Sequence, residues 1–480
     1  MFELIRFNNT SKVKDFLVIG LVALVCALGL LLSFPIYDFW GFAFLSYSLY
    51  AFLFLELSKK KSNYYLLLFF LFSFLFYFFK RSVELESIYY TAVNYFQNAT
   101  KGVVFVFILF SALALYSAML NAVALWVVQR INNKILKIAT LILILIIISS
   151  LNDIYLPIPP ELVLFQNKYL MASLFYVNVY AYKFLFYLSC ILLAHYSFSI
   201  RHLSKIFILI ISTFILLGLG GKLAIDHQKN HKKKIELVLF QTNQSSLDPK
   251  LNYSPDQLFS YLKNSDFSQF HQNDTVFFVW PESSLIESEE TLKHIKEFQQ
   301  QTKFKQVHLL GTYQMTNEGL VNKLLMVNED GNVQGEYVKN ILCPLGEKNL
   351  DLFIFPSDWT KVNIPVLNSS TISPFIKNGF NFLPLICYES VIDNHYARLL
   401  NFKSSKYYNI MINVSKDSFY EKTSLIKLHS IYSSMKSSSL GMPMIRVTST
   451  ENTELLSSTG EILARTKPNQ VQILKINEAY

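Results

Sequence analysis

Long apolar runs separated by short polar loops fill the first half of the chain. Seven such runs precede residue 223, at 15–34, 36–57, 63–79, 102–128, 138–151, 171–197 and 204–221. Most of them reach the roughly 20 residues that an α-helix needs to cross the apolar core of a bilayer. The third and fifth are shorter, so each is either a helix that extends into its flanks or a re-entrant segment. Residues 1–223 are therefore predicted to form a transmembrane domain of about seven helices.

The second half has a different pattern, in which short strand-like runs alternate with polar helical stretches. A hydrophilic linker at 224–234 separates the halves. Strand candidates are 235–241, 275–279, 307–312, 323–327, 381–386, 408–413, 444–448 and 471–476. Helical patterns cover 255–270, 287–302 and 424–440, and Glu329, Asp330 and Gly331 predict a hairpin turn. This alternation indicates an α/β layered domain over residues 235–480.

Composition and charge agree with this division. The chain is 52% hydrophobic and only 16% charged, whereas a soluble globular chain has about one quarter charged residues. Much of the net charge of +9 lies in short basic clusters between apolar runs. Such clusters are typical of membrane orientation, and they give no support to nucleic-acid binding.

The basic loops predict the orientation of the membrane domain. With the N-terminus in the cytoplasm, the basic residues on the cytoplasmic side are Arg6, Lys12, Lys14, Lys59, Lys60, Lys61, Arg130, Lys134, Lys137, Arg201 and Lys205. The opposite loops hold Lys80, Arg81, Lys101 and Lys168. This excess follows the positive-inside rule. An odd number of spans then places the second half, through Tyr480, outside the cytoplasm.

Three segments of the second half each place a reactive group at the end of a predicted strand. Glu282 follows Trp280 and Pro281, and proline cannot continue a strand ladder. Lys339 follows Tyr337 and Val338, with Glu347 eight residues later. Cys387 follows the apolar run 381–386 and precedes Tyr388 and Glu389.

These residue types form a chemically complete set. A thiol needs a base such as a carboxylate to remove its proton, and the oxyanion formed by acyl attack needs a fixed positive charge. Taken singly, each signal is weak. A strand-terminal glutamate is more often a solvated end, and a cysteine after an apolar strand is more often a buried apolar residue. The order Glu282, Lys339, Cys387 in these local sequences is a much stronger signal for a cysteine nucleophile.

Cysteine and histidine usage predicts neither a disulfide framework nor a metal site. Cys26, Cys190, Cys343 and Cys387 are too few and too scattered for either. The nine histidines show no metal-ligand spacing. We expect no metal and no cofactor. Cys343 is expected to be a buried apolar residue rather than a second nucleophile.

The three segments resemble the catalytic motifs of the nitrilase superfamily, whose catalytic set is Glu-Lys-Cys. With the apolar half in front, the chain is most similar to the membrane-anchored branch of that superfamily, which completes bacterial lipoprotein maturation. The resemblance extends over essentially the whole chain. It implies an α-β-β-α sandwich, with Glu282 as general base, Lys339 as oxyanion stabiliser and Cys387 as nucleophile. It also implies supporting roles for Glu347, Tyr388 and Glu389.

The resemblance further implies an N-acyltransferase of the bacterial inner membrane. The acyl donor would be a membrane phospholipid, and the acceptor the N-terminal amine of a diacylated lipoprotein. Acyl transfer would pass through a thioester on Cys387, with the catalytic domain on the outer face. The oligomeric state is not predicted.

Several positions depart from the superfamily pattern and leave substrate details and full activity open. They are Lys416, where asparagine is usual, Phe419, where tryptophan is usual, and Lys436 and Ser439 in the last predicted helix. Two alternatives therefore remain. One is a membrane-tethered amidase or nitrilase that transfers the acyl group to water. The other is a non-catalytic membrane scaffold with a decayed site.

Overall fold

The structure is a computed structural model that divides into two compact units. It describes residues 12–33, 41–81, 89, 92–93, 96, 98–152, 160–196, 200–228, 233–245, 253–343, 347–348, 366–420 and 424–479. The first unit, here the helical unit, comprises Met1–Leu170 and Tyr176–Gly220. The second, here the sheet unit, comprises Met171–Phe175 and Gly221–Tyr480.

Helices of strongly apolar sequence make up the described part of the helical unit. They are α1 (Lys12–Ser33), α2 (Gly41–Leu57), α3 (Asn63–Arg81), α4 (Ala99–Val128), α5 (Lys134–Asn152), α6 (Lys168–Ser173), α7 (Val179–Tyr196) and α8 (Ile200–Gln228). The last residues of α6 and α8 belong to the sheet unit. Within α3, α4, α7 and α8, four stretches are long and apolar enough to cross a membrane. Shorter apolar helical stretches lie at Asp15–Leu30, Gly41–Leu57 and Ile135–Ser149. Each apolar run of the sequence thus contains a helix.

The predicted apolar segment 171–197 is not one continuous helix. Met171–Phe175 belongs to the sheet unit, where the Ser438 hydroxyl donates to the Met171 carbonyl over 2.8 Å. A new helix, α7, begins at Val179, and the Asn178 side chain accepts a hydrogen bond from the Tyr180 amide at 2.8 Å. An asparagine that caps the first turn favours a helix start, so the chain breaks here despite its apolar character.

Polar side chains inside the helical unit are paired across helices. The Tyr50 hydroxyl donates to Asn121 Oδ1 at 2.6 Å and lies 3.2 Å from the Ser73 hydroxyl. The rings of Phe69, Phe72 and Phe76 lie around Tyr50. Such hydrogen bonds join α2, α3 and α4 where an apolar surrounding offers no water.

A cavity of about 1080 Å³ lies between α2, α7 and α8 within the helical unit. Its walls are mostly apolar and include Phe44, Leu193, Phe207 and Ile215. Gln166 and Asn167 add polar groups to the lining.

The sheet unit contains two β-sheets. Its strands are β1 (Lys234–Gln241), β2 (Thr275–Val279), β3 (Leu285–Ile286), β4 (Lys305–Met315), β5 (Leu320–Val327), β6 (Val333–Val338), β7 (Val366–Leu367), β8 (Phe375–Lys377), β9 (Phe380–Ile386), β10 (Tyr408–Ser415), β11 (Met444–Thr448), β12 (Glu454–Leu456), β13 (Ile462–Arg465) and β14 (Gln472–Ala479). The first sheet has the order β14-β1-β2-β4-β5-β6, with β3 beside β4 and β7 beside β5. The second has the order β13-β12-β11-β10-β9-β8.

Alternating side chains on the strands build the layers of this unit. In β1, Leu237 and Leu239 join a core that also contains Phe382 and Ile412 of the second sheet. Val238 and Phe240, on the opposite face of β1, pack in a separate cluster. That cluster includes residues of α9 (Pro255–Lys263) and α10 (Glu289–Gln300). Because side chains of a strand alternate between two faces, this pattern buries both faces of the sheet.

Helices α11 (Asp393–Leu400) and α12 (Ser424–Leu440) complete the architecture, and α12 packs against β11 and β12. The predicted α-β-β-α sandwich is therefore confirmed. The predicted hairpin is also present between β5 and β6, with Gly331 at φ +72°. The predicted helix 255–270 is shorter than expected, since α9 ends at Lys263 and Asn264 follows as its C-cap.

Parallel strands bring the candidate catalytic segments to common sheet edges. β1, β2 and β4 run parallel to each other in the first sheet. β9, β10 and β11 run parallel in the second. Because the carboxyl ends of parallel strands meet at one edge of a sheet, residues that follow them lie close together. Glu282 follows β2, and Cys387 follows β9 directly.

Candidate active site

Left-handed backbone occurs at residues other than glycine after β1, β2 and β9. Asn243 after β1 has φ 54°, Ser283 next to Glu282 has φ 50°, and Cys387 after β9 has φ 50°. This conformation costs about 1–2 kcal/mol for an ordinary residue and tends to occur at functional sites. At Cys387 the chain leaves a fully buried strand and enters a short 3-10 helix, Cys387–Val391. The nucleophile candidate therefore stands on a sharp strand-to-helix turn.

Glu282 is buried and held by three hydrogen bonds. Its Oε1 accepts from Asn322 Nδ2 at 2.7 Å and from Lys339 Nζ at 3.0 Å. Its Oε2 accepts from the backbone amide of Lys416 at 2.8 Å. Donors from β5, from the end of β6 and from the end of β10 thus fix the carboxylate from both sheets.

Lys339 lies between two carboxylates and is only 1% exposed. Besides Glu282, its ammonium donates to Glu347 Oε1 at 2.7 Å, and Glu347 Oε2 accepts from the Cys343 amide at 2.8 Å. Burial alone lowers the pKa of Lys339, but the charges of Glu282 and Glu347 outweigh burial and raise it well above its usual value. The site therefore contains a permanent cation.

The Cys387 thiol is buried beside this charged cluster. Burial raises its pKa well above the usual value, and the negative charge of Glu282 raises it further, while Lys339 opposes both. The resting thiol is consequently protonated and needs a base before it can react. Glu282 is the carboxylate whose charge acts most strongly on it.

Glu389 connects the lysine segment to the cysteine segment. Its Oε1 accepts from the Asn340 amide at 2.6 Å and the Ile341 amide at 3.0 Å. Its Oε2 accepts from the Ile386 amide at 2.7 Å and the Tyr337 hydroxyl at 2.8 Å. Complete burial raises the pKa of Glu389 to about 7, although the backbone hydrogen bonds partly oppose this rise. The side chain joins the residues that flank Lys339 and Cys387.

A buried ion-pair network supports the segment after β10. Arg446 NH2 donates to Asp417 Oδ2 at 2.7 Å, and Arg446 NH1 donates to Glu454 Oε2 at 3.4 Å. Burial raises the pKa of Asp417, but Arg446 and His429 outweigh it and lower that pKa to about 2. Asp417 directly follows Lys416, whose amide binds Glu282. The network therefore holds one of the donors that fix the candidate base.

The structure brings five of the six predicted site residues into this hydrogen-bonded and electrostatic cluster. Tyr388 is half-buried next to Cys387. Asn322, Asp417 and Arg446 were not among the predicted site residues, although each is a buried polar residue at or near the end of an apolar strand. That combination is the signal by which sequence analysis can find such residues.

Other predicted positions have mixed outcomes. Cys343 is half-buried rather than buried, because its backbone amide turns toward Glu347. The Lys436 ammonium lies 5.0 Å from the centre of the Tyr396 ring, and Ser439 is exposed. The Phe419 side chain lies outside the described residues, as do residues 344–346 of the lysine segment. Over the described ranges, no group of three or more histidine, cysteine or acidic side chains is arranged to hold a metal ion.

Comparison with known proteins finds similarity to one protein family within the sheet unit. Residues 257–478 match the model of the carbon-nitrogen hydrolase family. The chain is 23% identical to an apolipoprotein N-acyltransferase of Neisseria meningitidis over 249 residues, which cover 48% of this chain and 47% of that protein. It is 27% identical to an apolipoprotein N-acyltransferase of Borreliella burgdorferi over 148 residues, covering 30% of this chain and 28% of that one. The matched regions thus span less than half of each relative.

Solved structures also match about half of this chain. Nit3 of Saccharomyces cerevisiae, a nitrilase superfamily member, matches with 14% identity and a TM-score of 0.37, covering 51% of this chain and 90% of Nit3. A carbon-nitrogen hydrolase superfamily protein of Xanthomonas campestris matches with 12% identity and a TM-score of 0.37, covering 51% of this chain and 91% of that protein.

Proposed function

We propose that this chain is an N-acyltransferase, a proposal supported by the match of residues 257–478 to the model of the carbon-nitrogen hydrolase family. It transfers a fatty acyl chain from a membrane phospholipid to the N-terminal amine of a diacylglyceryl-cysteine lipoprotein. The observation that carries the proposal is the buried cluster of Glu282, Lys339 and Glu347 beside the Cys387 thiol. The names of the two bacterial relatives supply the substrate class.

The first half-reaction forms a thioester. Glu282 takes the thiol proton of Cys387, and the sulfur attacks the ester carbonyl of the donor lipid. The negative charge that develops on the carbonyl oxygen is stabilised by the Lys339 ammonium. When the carbon–oxygen bond of the ester breaks, Glu282 returns the proton to the leaving glycerol oxygen. A lysophospholipid departs, and the acyl group stays on Cys387.

The second half-reaction transfers the acyl group to nitrogen. The uncharged amine of the lipoprotein attacks the thioester carbonyl, and Lys339 again stabilises the oxyanion. Glu282 accepts a proton from the attacking nitrogen as the carbon–sulfur bond breaks. That proton passes to the sulfur, which restores the thiol and leaves an amide. One carboxylate thus serves as base and acid in both halves.

The apolar helices favour acyl transfer over the two alternatives. A hydrolase of soluble substrates needs no stretches long enough to cross a membrane, whereas the described residues contain four. Both proposed substrates are anchored in the bilayer, so a membrane-bound enzyme meets them without extracting them. The ordered hydrogen bonds around Glu282 and Lys339 disfavour a decayed scaffold, because a site without function has no need to keep these charges buried.

We also propose that the sheet unit lies on the outer face of the bacterial inner membrane. The support is the excess of basic residues in alternate loops of the sequence. Reporter fusions after residue 230 test this orientation. We expect activity from a reporter enzyme that works only outside the cytoplasm. Activity from a reporter that works only in the cytoplasm would overturn the orientation.

Mass spectrometry of the purified chain tests the reaction itself. After incubation with a phospholipid, we expect an acyl adduct on Cys387 that a lipopeptide with a free N-terminal amine removes, yielding the N-acylated peptide. Cys387→Ala should abolish the adduct, and the matched variant Cys343→Ala should retain it. Turnover to free fatty acid alone, with no acylated peptide, would establish the hydrolase instead. No adduct under any condition would favour the scaffold.

A further inference from the structure

Lys416 is a partly buried lysine at the candidate active site, and its ammonium has no carboxylate partner among the described residues. It follows β10, and its backbone amide donates to Glu282 Oε2 at 2.8 Å. No salt bridge or side-chain hydrogen bond from its ammonium occurs among the described residues. Two other buried lysines of the sheet unit differ in this respect. Lys323 pairs with Glu287 and Glu336, and Lys339 pairs with Glu282 and Glu347.

Burial of an ammonium without a counter-ion is unfavourable, and the electrostatics of Lys416 reflect this. Burial lowers its pKa, while the negative charge of Glu282 opposes part of that lowering. The ammonium is therefore near enough to Glu282 to respond to its charge, yet farther away than an ion pair. Buried charges in proteins are normally paired or ligand-bound. An anionic ligand beside Glu282 would supply the missing partner.

The reacting groups define which anion can reach this place. Glu282 exchanges a proton with the glycerol oxygen of the donor ester, so the donor's glycerol lies next to Glu282 during the first half-reaction. In a glycerophospholipid, the phosphate is attached to that same glycerol. Lysine binds phosphate as a compact point charge on a flexible stem. The superfamily pattern has an uncharged asparagine here, so this chain places an additional cation at the position.

We propose that Lys416 is a specificity-determining residue that binds the phosphate of the donor phospholipid. This inference rests on the proposed acyl transfer and adds the group that selects the donor. The Lys416 side chain would hold the headgroup end of the lipid while its backbone amide holds Glu282. Because these are different atoms, substitution of the side chain leaves the backbone hydrogen bond to Glu282 available.

The test compares two donors that differ only in the phosphate. The purified chain in detergent micelles is incubated with dipalmitoylphosphatidic acid or with dipalmitoylglycerol. The rate of acyl adduct formation on Cys387 is measured against donor concentration. The variants are Lys416→Asn, the conservative Lys416→Arg, and Lys403→Asn, which removes an exposed lysine from the loop after α11.

With the phospholipid, Lys416→Asn should raise the half-saturating concentration about ten-fold, the expected loss of one charge-assisted contact. Its half-saturating concentration for dipalmitoylglycerol should stay within about two-fold of wild type by the same scale. Lys416→Arg should restore most phospholipid binding, and Lys403→Asn should behave as wild type.

An equal loss with both donors would overturn the inference, since the residue would then act through Glu282 or through folding. No change with either donor would overturn it as well. A wild-type chain that forms no adduct with either donor would overturn the proposed function itself, and the inference with it.

Discussion

The Lys339 ammonium donates to Glu282 Oε1 across 3.0 Å, with both side chains almost completely buried. Glu347 lies on the other side of the same ammonium at 2.7 Å. One buried cation therefore serves two carboxylates, and its removal leaves both of them without a counter-ion. Substitutions of the individual residues of this cluster are therefore expected to have different effects on acylation and on stability.

Lys339→Met should reduce both acylation and stability. Loss of the charge opposite the oxyanion should slow adduct formation on Cys387 by about 10²–10³-fold. The two carboxylates left without a cation should lower the free energy of unfolding by about 3–5 kcal/mol. Mass spectrometry follows the adduct, and denaturant unfolding follows stability.

Lys323→Met is the matched control for this variant, because Lys323 is also buried and paired with two carboxylates, Glu287 and Glu336. It should be destabilised as well, while its folded fraction keeps the wild-type acylation rate. Equal loss of rate in both variants would show that Lys339 has only a structural role.

Glu282→Gln should block the first proton transfer. The amide cannot accept the thiol proton, so adduct formation should slow by about 10²–10⁴-fold, the usual range for loss of a general base. Pre-steady-state quench experiments measure this rate. Glu347→Gln is the comparison, since it changes a carboxylate that contacts Lys339 but performs no proton transfer in the proposed mechanism. It should slow the reaction less, and a wild-type rate in Glu282→Gln would remove its role as base.

The raised pKa of Glu389 makes stability depend on pH. Its pKa is about 7 in the folded chain and 4.5 as the ordinary reference, so the folded state retains a proton that the unfolded state loses between these values. The contribution of this group to the free energy of unfolding is therefore highest below pH 4.5 and falls as pH rises to about 7. The full change is roughly 3 kcal/mol.

Glu389→Gln removes this titration. The free energy of unfolding of wild type, minus that of the variant, should decrease as pH rises from 4.5 to 7. Denaturant unfolding at a series of pH values measures it. A difference that stays constant over the window would show that Glu389 titrates normally.

The Asp417–Arg446 pair should have the opposite pH dependence. The pKa of Asp417 is lowered from 3.8 to about 2, so its contribution to stability is present above pH 3.8 and is lost as pH falls through 2. At neutral pH, Asp417→Ala removes one carboxylate partner of the buried Arg446. It should lower the free energy of unfolding by about 3–5 kcal/mol. Asp330→Asn, in the exposed β5–β6 turn, should change stability by less than about 0.5 kcal/mol. Equal effects at both positions would contradict the role of the pair.

Sequence patterns predicted the strongly periodic elements well. The strands at 275–279 and 444–448 and the helix at 424–440 have the predicted bounds, because each has a clear apolar face or an uninterrupted apolar run. The catalytic candidates could be found because each follows such a strand. β13 was not predicted as a strand, since it exposes most of its residues and so lacks an alternating pattern.

Long-range polar contacts were the other part that local patterns did not predict. The Asp417–Arg446 pair joins residues 29 positions apart, and Glu389 reaches amides 48 and 49 positions away. Asp417 and Arg446 meet because β10 and β11 pair in one sheet, and Glu389 makes its contacts only when the two sheets pack face to face. The local sequence does not indicate which buried polar residues form hydrogen bonds with each other.

The position of Glu389 has a consequence for how the chain loses activity. Its carboxylate accepts from amides that follow β6 in one sheet and from the last amide of β9 in the other. Glu389 therefore holds Lys339 and Cys387 in position relative to each other only while the two sheets remain in contact. Acyl-transfer activity therefore reports whether the two sheets are in contact. A partly opened state that keeps all its strands would already be inactive.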